Sequence, residues 1–308
     1  MPSKCLLIIA ETDDVYFNLA TEEYLLHNFD QDIVFLYINS DAVVLGKHQN
    51  AFNECRITKC RENGVAVARR LSGGGTVYHG DGNINFCFIR NGEVTDKLID
   101  FKKHLEPVQA FLHSKGLPSE YSGRNDLLLH EKKISGNAEH VYKRKNRVIH
   151  HGTLLFNADL GRLNESIAPK KRVDFKTHAV QSVRSVVANI QDYLVQPETM
   201  DSFYEDLGQF LGDYFLATEY RLSAIDHRNI NDLVQEKFGT WDWNFGYSPS
   251  FTVTLSHENG NTSDIHVKKG LIKTISGFLE SAPELIGMAY KPESFEGLAS
   301  PEEIEEFF

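Results

Sequence analysis

The side chains with the most chemistry to offer are concentrated in one stretch, Arg69-Arg70-Leu71-Ser72-Gly73-Gly74-Gly75-Thr76-Val77-Tyr78. Three consecutive glycines let backbone N–H groups converge on an oxyanion and let the chain take positive φ without strain. An arginine beside them supplies a planar fork matched to phosphate or carboxylate. A plain glycine-rich turn would explain the glycines alone. The two arginines before them and the strand-like Thr76-Val77-Tyr78 after them favour an anion or nucleotide site.

A second patch runs Gly123-Arg124-Asn125-Asp126-Leu127 and then Lys133-Ile134-Ser135-Gly136-Asn137-Ala138. Lys133, at the start of a strand, can reach a bound phosphate or carboxylate as a point charge. Asp126 offers a carboxylate to Mg²⁺, which favours one or two carboxylates plus phosphate oxygens. Taken alone, the patch also reads as an exposed hairpin. His150 and His151 are adjacent on a strand, so they point to opposite faces and cannot share one metal; a structural or supporting role suits them better. His79 reads equally as an anion donor or as a satisfied core histidine. Cys87 reads as small core filler.

The elements that must position these groups follow from periodicity and punctuation. Helical spacing marks 17–26 and 100–115, and helices also fit 199–215 and 220–238. Short strands are expected at 33–37, 42–46, 65–68, 84–89, 152–156, 251–255 and 264–268. Segment 76–78 is expected to form a hairpin with 84–89 around Gly80-Asp81-Gly82, and Asn125–Leu129 a hairpin with Lys133–Ser135. This is an α+β pattern, a mostly antiparallel sheet with flanking helices, and not a βαβ wind. Neither GxxxxGK[ST] nor GxGxxG in a βαβ setting is present, so a nucleotide would be held in another way. An aromatic cluster at Trp241–Tyr247 followed by Ser248-Pro249-Ser250 divides the chain into 1–247 and a small C-terminal α+β unit, 248–308.

Size and charge bound the rest. A chain of 308 residues can bury one large core, or one large and one small. A net charge of −11 argues against a general nucleic-acid binder. No apolar run approaches the roughly 18–20 residues of a membrane span. Four cysteines without metal-ligand spacing read as free thiols, and the expected compartment is cytoplasmic. An acidic protein partner would need a local basic patch, for which Lys143–Arg147 and Lys170–Arg172 are the two candidates.

Five blocks, in order, carry a resemblance: Asp14–Tyr24 with Val43–Asn50, the run RRLSGGGTVYHGDGNINF, then GRNDLLLHEKKISGNA, HHGTLLFNADL, and SVRS at Ser182–Ser185. Together they resemble the lipoate–protein ligase A family, and Lys237–Gly246 extends the likeness. The resemblance implies a class II synthetase-like (biotin/lipoate ligase) catalytic domain plus a small accessory domain. It implies activation of lipoate by ATP and Mg²⁺ to lipoyl-AMP, then transfer to a lysine. The implied acceptors are lipoyl domains of 2-oxoacid dehydrogenase E2 subunits and the glycine-cleavage H protein. Matched motif by motif, Arg70 and Lys133 would be catalytic. Arg70, Gly75, Thr76, Val77, Tyr78, Lys133 and Asp126 would hold ATP, with Asp126 on Mg²⁺. Lys133, Gly73, Gly74, Tyr37 and His79 would hold lipoate. The alternative within the superfamily is a transferase that takes preformed lipoyl-AMP or another acyl donor. A non-catalytic carrier has no use for both Arg70 and Lys133. The chain departs from the family in reading His79-Gly80-Asp81 where His-Asp is usual, and in carrying Tyr37 where some relatives have tryptophan.

Overall fold

The computed structural model describes residues 5–92, 98–167, 172–182 and 185–308. In chain order, the first half comprises β1 (Leu6–Ile9), α1 (Val15–Asn28), β2 (Ile33–Ile38), β3 (Ala42–Leu45), α2 (Ala51–Glu54), α3 (Ile57–Glu62), β4 (Ala66–Arg69), β5 (Val77–His79), β6 (Asn83–Asn91) and α4 (Phe101–Ser114). Then come β7 (Glu120–Tyr121), β8 (Asp126–Leu129), β9 (Lys132–Tyr142), β10 (Arg147–Leu155), α5 (Leu160–Ile167) and β11 (Val173–Thr177). The remainder comprises α6 (Met200–Tyr214), β12 (Thr218–Glu219), α7 (Ala224–Leu233), β13 (Phe251–Ser256), β14 (Thr262–Lys268), β15 (Leu271–Gly277) and α8 (Pro301–Phe307).

An eight-stranded sheet in the order β12-β1-β2-β6-β10-β9-β8-β7 forms the centre, with β1 parallel to its two neighbours and the other pairs antiparallel. Its central strands are buried on both faces because both are covered. α1 and α7 lie against one face, and α4 and α6 against the other. Helix starts follow the sequence. Asp14 accepts the Phe17 N–H, Asp100 the Lys103 N–H and Thr199 the Ser202 N–H, each satisfying an amide the helix cannot.

Two expectations need correction. β5 and β6 are not a hairpin. β5 pairs with β3 in a separate three-stranded sheet, β4-β3-β5, whereas β6 pairs with β2 and β10. The chain turns a corner at Gly80–Gly82 where another segment crosses closely: a Cβ on Gly82 would lie 2.3 Å from the Asn157 backbone. The glycines serve that close approach. Arg147, counted with an exposed basic run, is buried. Its guanidinium donates to the carbonyls of Leu25, Leu26, Phe29 and Gln31 and so caps the C-terminal end of α1. Lys143, Arg144 and Lys145 of that run are exposed. Of the other run, Lys170 and Lys171 lie outside the described residues, and Arg172 pairs with Glu258 and Glu306.

The C-terminal strands form a four-stranded antiparallel sheet in the order β11-β13-β14-β15. Strand β11 therefore comes from well upstream of residue 248. One core joins Val43, Leu45, Phe52 and Tyr78 to Phe251, Val253, Tyr290 and Phe308.

Candidate active site

A cavity of about 350 Å³ opens between the end of the β3–β5 sheet and strands β8, β9 and β10. One wall is the loop between β4 and β5. Its fold is dictated by Arg70, whose Nη2 donates to the Gly73 and Gly75 carbonyls at 2.7 Å each, while Nη1 meets the Val44 carbonyl at 3.1 Å and Nε the Ser72 hydroxyl at 3.0 Å. Gly74 sits at φ +90°, and the loop packs so closely on Gly46 that a Cβ there would lie 2.1 Å from the Gly74 oxygen. Arg69 points the other way. Its side chain is 0 % exposed and binds the carbonyls of Gly46, Lys47, Gln49, Trp243 and Asn244 and the Ser248 hydroxyl. Arg70 thus braces the loop itself, while Arg69 ties its base to segments 46–49 and 243–248.

Lys133 rises from the opposing wall. An extra residue in β9 opposite Leu127/Leu128 shifts the register there, and such a bulge re-aims the side chains beside it. The Lys133 ammonium lies over Gly136, whose hypothetical Cβ would be 3.1 Å from Nζ, and 3.0 Å from the Asp126 carboxylate. The Lys133 backbone bridges to Val187, with its N–H on the Val186 carbonyl at 2.9 Å and its carbonyl on the Ala188 N–H at 3.0 Å. Segment 180–185 completes this side through Val180, Gln181, Ser182 and Ser185; Val183 and Arg184 of the quoted block lie outside the described residues. Ser182 ties that segment to the glycine loop. Its hydroxyl oxygen accepts the Thr76 N–H at 2.9 Å and the Gln49 amide at 3.0 Å, and the hydroxyl donates to Glu54 at 2.5 Å.

The inner end of the cavity is apolar at Leu19, Val44 and Val77 and polar at Tyr37, His79 and His151. The Tyr37 hydroxyl donates to Glu22 at 3.0 Å, and burial raises its pKa well above the usual value. His79 receives the Asn39 amide on Nδ1 at 2.8 Å; burial and the nearby Arg70 charge push its pKa down to about 3, so it stays neutral. Burial lowers Arg70 to about 10, opposed by the Glu22 charge, which leaves the guanidinium charged at neutral pH.

Of the residues singled out from sequence, Arg70, Gly74, Gly75, Thr76, Val77, Tyr37, His79, Asp126 and Lys133 all line this one cavity. Gly73 and Tyr78 do not. Gly73 gives its carbonyl to Arg70, and Tyr78 is buried in the core shared with the C-terminal sheet. Sequence reasoning missed Glu22, Ser72, Gln49 and Glu54. Glu22 gave no readable sign: it is a fully buried acid on α1, among buried residues that include Asn18 and Thr21 as well as Leu19 and Leu25. His150 and His151 take opposite faces as expected: His151 lines the cavity, while His150 meets Glu139, itself bonded to His104, under α4. Both imidazoles lie 2.8 Å from the same Glu139 oxygen, a hydrogen-bond spacing.

Comparison with known proteins bears on this geometry. The model of the lipoyl protein ligase A/B catalytic domain matches residues 14–212. The chain is 38 % identical over 269 residues to the lipoate-protein ligase LplJ of Bacillus subtilis (strain 168), covering 85 % of this chain and 80 % of that protein. It superposes with a TM-score of 0.66 at 25 % identity on a lipoate-protein ligase A bound with ATP, over 80 % of this chain and 100 % of the other. A bipartite lipoate protein ligase from Thermoplasma acidophilum, analysed together with its E2 lipoyl domain, gives 0.66 at 25 % identity over 80 % and 97 % of the two chains.

Proposed function

Because this chain belongs to the lipoyl protein ligase A/B family, we propose that the cavity between the glycine loop and Lys133 is the place where lipoate is activated and passed on. The chain is an ATP-dependent lipoate–protein ligase. A lipoate carboxylate oxygen bonds to the α-phosphorus of ATP as pyrophosphate leaves. The neutral ε-amine of an acceptor lysine then bonds to the carbonyl carbon of the mixed anhydride, AMP departs, and the amine gives up a proton.

What carries the site assignment is one juxtaposition, a glycine loop and the Lys133 ammonium facing each other across a single cavity. Adenylation forces a carboxylate against a phosphate, and the repulsion between two anions is its main obstacle. Lys133, fixed by its backbone bridges and by Asp126, sets a positive charge between them that needs no reorganisation as the reaction proceeds. The loop amides add oriented dipoles. Thr76, Val77 and Gly75 would border the nucleotide, and Tyr37 and His79, with Leu19 and Val44, the lipoate chain. Tyr78, packed away from the cavity, would contribute its backbone only.

Asp126 fits Mg²⁺ as the acidic side chain that lines the cavity among the described residues. It would give one carboxylate oxygen to an ion that neutralises the nucleotide phosphates. The acceptors we assign are lipoyl domains of E2 subunits and the glycine-cleavage H protein, docking through Lys143, Arg144 and Lys145. We also assign 1–247 as the catalytic domain and 248–308 as an accessory unit, with β11 lent to it from upstream. The test is lipoate-dependent ATP–pyrophosphate exchange. Exchange in the wild type that vanishes in Lys133→Ala bears the reading out. A wild type that performs no exchange yet modifies a lipoyl domain from preformed lipoyl-AMP is a transferase instead.

A further inference from the structure

A buried carboxylate on α1 and a serine of the glycine loop are joined through His151. Glu22 is 0 % exposed, as is Ser72, and His151 is 6 % exposed. The hydrogen bonds run in one direction. A carboxylate only accepts, so both the Tyr37 hydroxyl, at 3.0 Å, and His151 Nδ1, at 2.7 Å, donate to Glu22. A guanidinium only donates, so Ser72 Oγ accepts from Arg70 Nε at 3.0 Å. With Nδ1 carrying the single ring proton, the Ser72 hydroxyl proton goes to His151 Nε2, 2.5 Å away. Its other neighbour, the Gly73 carbonyl, is 3.5 Å away. In this tautomer every proton from Arg70 to Glu22 has its acceptor, and the buried chain joins a guanidinium at one end to a carboxylate at the other.

The consequence reaches the loop through peptide geometry. In a trans peptide the N–H points opposite to the carbonyl before it. With the Gly73 carbonyl turned to Arg70, the Gly74 N–H must point away from the guanidinium. With the Gly75 carbonyl turned to Arg70, the Thr76 N–H must do the same, and it is taken by Ser182. Among the described residues, the Gly74 amide has no acceptor within the protein. Fixing the Arg70 fork thus fixes the direction of the amide of Gly74, a residue that lines the cavity.

We infer that Glu22, His151 and Ser72 are positioning residues for the ligase reaction: a one-way relay that locks Arg70, and through it the glycine loop, in the geometry that receives the reacting anion. The inference rests on the ligase reading above. None of the three needs to touch substrate. A buried carboxylate in this place has a purpose that an apolar residue would not serve, because the relay must end in an acceptor and the guanidinium requires a counter-charge.

Lipoate-dependent ATP–pyrophosphate exchange, measured on the full chain for wild type, Ser72→Ala, Ser72→Thr and Glu22→Gln, tests this. Ser72→Ala deletes one oxygen, and Glu22→Gln keeps the shape of the side chain. We expect kcat to fall about a hundred-fold in both, the scale of an ångström of misplacement, with KM for ATP within threefold and with Ser72→Thr restoring most of the rate. Variants that keep kcat within threefold of an active wild type overturn the relay and leave the ligase reading standing. So does a loss of rate that only tracks a loss of thermal stability, with Ser72→Thr no better than Ser72→Ala. A wild type without exchange overturns the ligase reading itself.

Discussion

His150 and His151 are neighbours on β10, and each meets a buried glutamate, at 2.8 and 2.7 Å respectively. Same side-chain chemistry, same strand, opposite faces. On the His150 face, the partner Glu139 stands directly across on β9 and also takes His104 from α4, so the cluster fastens a helix to the sheet. Phe86, Phe88 and Phe101 surround that imidazole, and among the described residues its Nε2 has no hydrogen-bond partner. On the His151 face, the second ring nitrogen continues to Ser72 and so to the loop that lines the cavity. The residue types are the same on both faces. What separates a fastening from a working part is whether the hydrogen bonds end in the core or lead on to a surface where something can bind.

The largest effect should come from the cavity side. Lys133→Ala is expected to lower adenylation about a thousand-fold, the upper range for removing one preorganised electrostatic group, while thermal stability barely moves because the ammonium is partly exposed. Gly46→Ala comes next. Its methyl would press on the Gly74 oxygen and displace the loop, for an expected loss of about a hundred-fold in kcat, read by the same exchange assay. The His150 face should give the converse. Glu139→Gln leaves the cavity lining untouched, so activity should stay within about threefold of wild type, but it weakens two charge-assisted bonds and should cost about 1–3 kcal/mol in chemical denaturation. Activity lost without stability on that face would break the comparison.

Acid should test the His150 face as well. Burial pushes His150 down to about 4, below the range of an unfolded histidine. Below about pH 6.5 the unfolded chain takes up a proton that the folded chain refuses. Stability on this account is full above about 6.5 and is lost as pH falls toward 4. His79, held near 3 by burial and Arg70, adds to the same slope. His150→Gln should flatten the part of the curve between 6.5 and 4, seen as a midpoint that changes less with pH. Smallest of all, Lys143→Glu with Arg144→Glu should raise the KM for a lipoyl-domain acceptor a few-fold and leave pyrophosphate exchange unchanged, since exposed charges act mainly on encounter.

The parts of the site readable in the sequence were those whose residue identity is itself the mechanism. Glycines that permit close approach and a lysine that carries charge announce themselves, and the alternation of a strand placed the two histidines. Pairing partners were less legible. β5 and β6 look like a hairpin because only a few residues separate them, and nothing local reveals that Asn157 crosses at Gly82 and sends them to different sheets. Arg147 hid in a run of cations that are otherwise exposed, since only the fold brings the end of α1 against it. Glu22 was masked by the mixed polar and apolar residues around it on α1, and its partner His151 lies 129 positions away.

Strand β11 carries a further consequence, concerning the order in which the protein can be finished. Thr177 pairs with Phe251, so β11 emerges from the ribosome 74 residues (251 − 177) before its partner. At translation rates of about 5–20 residues per second, that is a wait of roughly 4–15 s. The segment directly after β11 is the one that closes the cavity with Val180, Gln181 and Ser182. One end of that wall has no anchor in the sheet until the distal strands arrive. Newly made chains would then pass through an interval in which the central sheet is complete, the glycine loop is present, and one wall of the pocket is held from one end only.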